Sequence, residues 1–246
     1  KQPWDFGEQG VAVYRRHFWL RENLIPLIYS SAVESHRSGL PMTMPMAMAF
    51  PREPLVRGSE TEYMFCGEIL FSPVLCENAQ AQAVAFPAGC WYGLFDDTVQ
   101  QGDRSREIPV TWEYSPAYLR AGAVIPVRLA PSLALMEPFE ADEAVSALLI
   151  TPPDGDRQHR LYSDKETVYT AAAAKTDGGF TVTVSDGEFC FAVLYADAAS
   201  VICNGAALRR VDSIKALRTQ SGYAVVGGKT YLHTDGAYSV LTVYEN

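Results

Sequence analysis

Three dipeptides in the C-terminal part of the chain, Asp186-Gly187, Asn204-Gly205 and Asp235-Gly236, each sit between apolar alternations. Asn-Gly and Asp-Gly tolerate the positive φ that a two-residue type I′ turn requires, which makes them strong hairpin signals. In "FTVTVSDGEFCFAV" such a turn pairs Val184 with Phe189, Val182 with Phe191 and Phe180 with Val193, all on one face. Asn204-Gly205 pairs Ile202 with Ala207 and Val201 with Leu208 in the same way. Asp235-Gly236 pairs His233 with Tyr238 and Tyr231 with Val240. Hairpins of this kind predict an antiparallel sheet, and the expected architecture is a β-sandwich.

The opposite end reads as helix. Asp5 is placed to cap a helix, with Glu8 three residues on. Apolar residues then recur at helical intervals from Val11 to Val33, and Gly39 is a stop signal. Pro26 lacks an N–H and crowds the carbonyl of Glu22, so a kink or two helices is expected. Beyond Pro41, "EYMFCGEILFSPVL", "AQAVAFPAGCWYGLF" and "AYLRAGAVIPV" are strand-like runs broken by turn residues. A composition shift around 129–140, in "LAPSLALMEPFEADE", marks a boundary.

Composition narrows the function classes. With 48% hydrophobic and 20% charged residues over 246 positions, the chain can bury a core and is not of the disordered type. Its formal charge of −9 is the wrong sign for a nucleic-acid binder, which carries a basic stripe. Five cysteines, widely spaced and without C-x-x-C, do not make a disulfide framework or a structural zinc site. No apolar run approaches the ~20 residues of a membrane-spanning helix. The chain opens at Lys1 with "KQPWDFGEQG", which reads as the interior of a longer polypeptide, so a fragment or processed chain is expected.

Few residues propose chemistry by themselves. His17, His36, His159 and His233 share no metal-ligand spacing, and neither a P-loop nor a nucleophile elbow is present. Asp96-Asp97 is the most visible carboxylate pair. Neighbours on a strand point to opposite faces, and the following Thr, Gln, Gln and Gly make a solvated turn the expected role. Asp154-Gly155-Asp156 reads as a turn as well. In "PMTMPMAMAF", Met42, Met44, Met46 and Met48 keep a step of two that Phe50 continues. Thioethers suit copper(I). The period and the Pro, Thr, Ala and Phe flanks point instead to one buried face of a strand.

Read in order, several segments resemble glycoside hydrolase family 31, the α-glucosidase and α-xylosidase group. "PWDFG" is similar to P-W-x-F-G, and "LRENLIPLIYSSAVESHRSGLP" to an R-x-x-L-L-P-Y-L-Y helix followed by G-x-P. "FPREP" resembles F-P-x-D-P, and "EYMFCGEILFSPVL" resembles Q-Y-M-x-G-x-x-L-L-V-A-P-V. "AFPAGCWYGLF" is similar to Y-L-P-x-G-x-W-Y-d-x-W, and "YLRAGAVIP" to V-R-A-G-x-I-I-P. Further on, "RLYSDKETVY" loosely resembles L-Y-E-D-D-G-x-T-x-x-Y, and "VICNG" a V-x-V-N-G hairpin. The ordered matches run from 3 to 126 with close family spacing.

The resemblance implies a mainly β fold: two antiparallel β-sandwich domains preceded by the terminal helical part of a (β/α)8 barrel. Residues 1–40 would be the barrel remnant, 41–128 the proximal sandwich and 129–246 the distal one. It implies retaining hydrolysis of α-glycosidic bonds by an aspartate nucleophile and an aspartate acid/base, whose carboxyls must lie about 5–5.5 Å apart. Both family motifs precede P-W-x-F-G, so no catalytic residue carries over, and the chain alone is expected to be inactive. Two departures stand out. Met44 occupies a family arginine position and Ala49 a glutamate position, and "LYSDK" replaces the second Asp and the Gly of D-D-G. Losing an arginine removes a rigid five-donor fork, so whatever it satisfied must change too.

A rival expectation is a stand-alone carbohydrate-binding module using Trp91, Tyr92 and Trp112, with Trp91 equally suited to anchoring a core. No cofactor or metal site is expected. The expected partners are an α-linked oligosaccharide for the parent enzyme and, for the exposed helix face, an upstream barrel polypeptide or a second copy of the chain. Neither nucleic acid nor membrane is expected as a partner.

Overall fold

The computed structural model describes residues 2–163, 167–185 and 188–246. It divides into two compact units, one of Lys1–Ser30 with Gly122–Asn246 and one of Ser31–Ala121.

The N-terminal helix is broken as expected. α1 (Gly7–Asn23) and α2 (Ile25–Ser38) meet at Leu24. Pro26 falls in the first turn of α2, where a missing N–H costs little. Gly39 then ends α2 at φ +74°, a left-handed conformation that glycine adopts without strain. Asp5 does not cap α1. It lies within a short 3-10 turn, Pro3–Phe6, and its carboxylate accepts the backbone N–H of Gln2 at 2.7 Å.

In the Ser31–Ala121 unit, β1 (Thr43–Pro45) leads into a single-turn α3 (Met46–Ala49). The step-of-two methionine strand therefore stops at Pro45. The Phe50 N–H closes the turn on the Met46 carbonyl at 2.8 Å. The other strands are β2 (Tyr63–Phe65), β3 (Ile69–Phe71), β4 (Ala81–Phe86), β5 (Cys90–Gly93), β6 (Val99–Gln101), β7 (Arg104–Pro109) and β8 (Ala117–Arg120). They form a six-stranded sheet, β1-β2-β3-β8-β5-β6, and the β4-β7 ribbon. Met46, Met64, Leu70, Val84, Phe86, Trp91 and Tyr118 fill the core of this unit.

The other unit holds β9 (Val124–Leu129), β10 (Val145–Ile150), β11 (Arg157–Tyr162), β12 (Val168–Thr176), β13 (Gly179–Val184) and β14 (Phe191–Leu194). β15 (Ala198–Cys203), β16 (Ala206–Ala207), β17 (Gly222–Val226), β18 (Lys229–His233) and β19 (Val240–Glu245) complete it. A five-stranded sheet, β17-β18-β14-β10-β9, and a six-stranded sheet, β11-β12-β13-β19-β15-β16, share one core. Among the described residues these strands pair antiparallel except β10 with β14, and an isolated bridge between Arg210 and Tyr223 is also parallel. The composition shift at 129–140 is the loop from β9 to β10, and β9 pairs with β10 along its whole length.

One expected hairpin forms as read: Ile202 pairs with Ala207, and the Leu208 N–H reaches the Val201 carbonyl at 2.8 Å. The other two pairings do not form. The Asp186-Gly187 turn itself lies outside the described residues. β13 pairs with β12 and β19, whereas β14 lies between β10 and β18 in the opposite sheet. Phe180, Val182 and Val184 thus share a core with Phe189 across the two layers and not along one face. Around Asp235-Gly236 the chain again changes sheets: His233 pairs with Phe191 and Gly222, and Tyr238 is buried. Two unremarked dipeptides do turn hairpins. Asp177-Gly178 joins β12 to β13, and Gly227-Gly228 joins β17 to β18.

Candidate functional site

Trp91 is wholly buried on β5. Its indole N–H donates to the Pro87 carbonyl at 2.9 Å, and its ring meets Phe50 and Phe86 at 6.1 and 6.4 Å. That geometry is a core anchor: the polar edge is satisfied and the faces are packed. Tyr92, next along the strand, is half-buried. Trp112 is 65% exposed in the loop after β7. Two residues on, Tyr114 packs its ring against Phe95 at 4.9 Å. The three aromatic candidates thus have three different environments.

Asp96 closes a turn, as its sequence context suggests. One carboxylate oxygen accepts the Thr98 backbone N–H at 3.0 Å and the Thr98 hydroxyl at 2.6 Å. It also faces Tyr118: burial first, then the Asp96 charge, push that phenol up to about 12, while a hydrogen bond from Thr98 opposes the shift. The histidines have separate local roles. His17 contacts the Val13 carbonyl one helical turn back at 2.9 Å. His159, buried, reaches the Gly122 carbonyl at 2.9 Å. His233 stacks flat on Phe191 with ring centroids 4.1 Å apart. Among the described residues, no group of three or more His, Cys, Asp or Glu side chains could hold a metal ion.

The methionines divide by environment. Met46 is wholly buried in the core with Met64, whereas Met48 points outward. Met44, at the family arginine position, stands directly opposite Met64 in the β1–β2 register. Met44 is half-buried and Met64 buried, so this cross-strand pair is apolar and carries no charge to satisfy. Cys66 occupies the tip of the β2–β3 turn at φ +53°, with Gly67 at +73°. Burial pushes its thiol up to about 11; a hydrogen bond with Ser31 opposes this and the Glu68 charge adds to it.

Two surface features stand out, of which the exposed helix face was expected from sequence and the second was not. The first is a set of rings at the N-terminal helix: Trp4 is 68% exposed, Tyr14 58% and Phe18 45%. The periodic apolar positions of α1 held that signal. The second is a cavity of about 480 Å³ in the unit formed by Lys1–Ser30 and Gly122–Asn246. Its lining comes from distant segments, among them Tyr29, Arg128, Tyr162 and Tyr169, so no local motif could announce it.

Comparison with known proteins gives these features a context. Residues 39–125 match the Glycosyl hydrolase family 31 C-terminal domain. An alpha-xylosidase of Saccharolobus solfataricus is 31% identical over 128 residues, which are 52% of this chain and 18% of that protein. Human neutral alpha-glucosidase AB is 24% identical over 168 residues, 67% of this chain and 17% of that protein. The chain therefore aligns with under a fifth of the length of these relatives. A cycloalternan-forming enzyme from Listeria monocytogenes, solved with a pentasaccharide substrate, has the same fold at TM-score 0.88 and 22% identity. That likeness covers 99% of this chain and 25% of the enzyme. A family 31 dextranase from Flavobacterium johnsoniae gives TM-score 0.80 at 18% identity, over 99% of this chain and 34% of its own. Residues 39–125 thus resemble the glycosyl hydrolase family 31 C-terminal domain, and the chain has distant homology to an alpha-xylosidase and an alpha-glucosidase over a small share of their length.

Proposed function

We propose that this chain is the non-catalytic C-terminal region of a retaining α-glycosidase acting on α-linked oligosaccharides. The aspartate nucleophile and the aspartate acid/base lie in a (β/α)8 barrel outside it. Residues 1–40 serve as the barrel's terminal helical part, 41–128 as the proximal sandwich and 129–246 as the distal sandwich. The observation that carries this reading is the exposure of Trp4, Tyr14 and Phe18 in a chain whose residues 39–125 match a family domain. Tyr14 and Phe18 lie one helical turn apart on α1, which sets both exposed rings on the same side of the helix. Apolar surface of this kind seldom stays in water. The barrel polypeptide is the occupant that fits it; without the barrel, two copies of the chain cover these rings for one another. The test combines activity with mass. Aryl α-glucosides and α-xylosides incubated with the pure chain should show no turnover above a blank. Light scattering should show a species heavier than a monomer, which a barrel-bearing polypeptide converts into a heterocomplex. Hydrolysis by the pure chain would overturn the division of labour.

A second reading, a stand-alone carbohydrate-binding module, is favoured by the exposure of Trp112 beside the Phe95–Tyr114 pair. Affinity electrophoresis across starch, xyloglucan and dextran tests it, and the absence of retardation on all three rejects it.

A further inference from the structure

The cavity of about 480 Å³ falls within the roughly 300–1,000 Å³ span of small-molecule sites. It is walled by secondary structure: Tyr29 comes from α2, Arg128 from β9, Tyr162 from β11 and Tyr169 from β12. Phe189 adds a fourth ring, edge-on to Tyr169 at 6.0 Å. The walls are tied down. The Ser30 hydroxyl accepts the Tyr162 backbone N–H at 2.9 Å and donates to the Tyr162 carbonyl at 3.4 Å. Arg128 donates to the Ala141 carbonyl at 3.0 Å and lies over the Phe139 ring at 5.8 Å. The site is thus preformed, which lowers the ordering cost of binding.

Its chemistry selects a ligand class. A purely apolar ligand would strip water from Arg128 and Glu188 without replacing it. An anion meets Glu188 and a cation meets Arg128, so neither net charge is favoured. What remains is a neutral molecule with hydroxyls for the charged groups and C–H faces for the rings. We propose that this cavity is a non-catalytic binding site for one or two sugar units of an α-linked glucan. The sugar identity rests on the α-glycosidase reading above, whereas the neutral polyol class rests on the cavity alone.

Titration calorimetry of the 246-residue chain with maltose and with isomaltose tests the site. Saturable binding of at least one sugar is expected. Ser146→Trp, which places an indole in the cavity from β10, and Tyr169→Ala, which removes a ring, should each weaken binding by about tenfold or more. Leu75→Ala, at an exposed position outside the cavity lining, should leave it unchanged. No saturable binding of either sugar, or binding that survives both cavity variants, overturns the proposal. A cooperative melt identifies a variant that fails to fold, in which case the other cavity variant decides. Barrel docking is read separately from the mass of the complex, so docking with no sugar binding overturns this site and leaves the larger reading standing.

Discussion

Asn23, wholly buried at the end of α1, donates its side-chain amide to the Arg128 carbonyl at 2.7 Å and so covers a carbonyl of β9. β9 is an edge strand of the five-stranded sheet, with groups that no neighbouring strand can satisfy. The same side chain accepts the Met136 N–H at 2.8 Å, which secures the loop after β9. Ser30 does the equivalent for β11, the edge of the second sheet, through Tyr162. The helical segment thus supplies edge caps to both layers of its own unit.

Replacing Asn23 with Ala should leave the Arg128 carbonyl and the Met136 N–H half-buried and without this partner. At about 1–3 kcal/mol for each stranded group, partly relieved by relaxation, the expected cost is about 2–4 kcal/mol. Urea unfolding checks this, and Asn23→Leu should cost a similar amount because volume is not the issue.

The costs of truncating Trp91 and Trp112 should differ by at least about 2.5 kcal/mol. Trp91→Ala opens a core cavity and strands the Pro87 carbonyl, at about 3–5 kcal/mol. Trp112→Ala removes an exposed ring and should stay within about 0.5 kcal/mol. The measurement is the shift in denaturant midpoint for each variant at constant slope.

Gly102 has no side chain where an added methyl carbon would lie 1.9 Å from the Pro87 carbonyl oxygen, the acceptor of the Trp91 indole. The chain there must move, and Gly102→Ala should destabilise by about 3 kcal/mol. Near-ultraviolet circular dichroism should register the loss of a fixed indole alongside the lowered melting temperature.

Alkaline pH should erode stability through Cys66. Its folded-state value, about 11, lies above the ordinary 9.0, so the folded chain holds this proton more tightly than the unfolded chain does. The stabilisation is therefore complete below pH 9.0 and is lost as pH rises towards about 11. Melting temperatures across that window should fall more steeply for the parent chain than for Cys66→Ser, whose hydroxyl does not titrate there. Equal slopes would show that burial of this thiol carries no linkage.

Much of this was legible in local chemistry. Pro26 and Gly39 announced the break and the end of the helices because each restricts or frees backbone angles wherever it sits. Asn204-Gly205 turned its hairpin for the same reason. The methionine run misled because period two persists on paper after Pro45, while the backbone turns into α3 and places Met46 in the core. Asp96 was legible as a turn, since its hydrogen bonds reach only two residues along the chain.

By itself the sequence determined the β-rich class, the broken N-terminal helix and the family motifs. These follow from short-range backbone preferences and from ordered residue types. Only the tertiary structure decided which strands share a sheet. β13 and β14 follow one another in the chain yet stand in opposite layers, as do β18 and β19. A dipeptide sets the angles of a turn, but both sheets must bury an apolar face against each other, and that condition is global. The same condition buried Trp91, left Trp112 in solvent, and brought Asn23 and Ser30 to strands more than a hundred residues away.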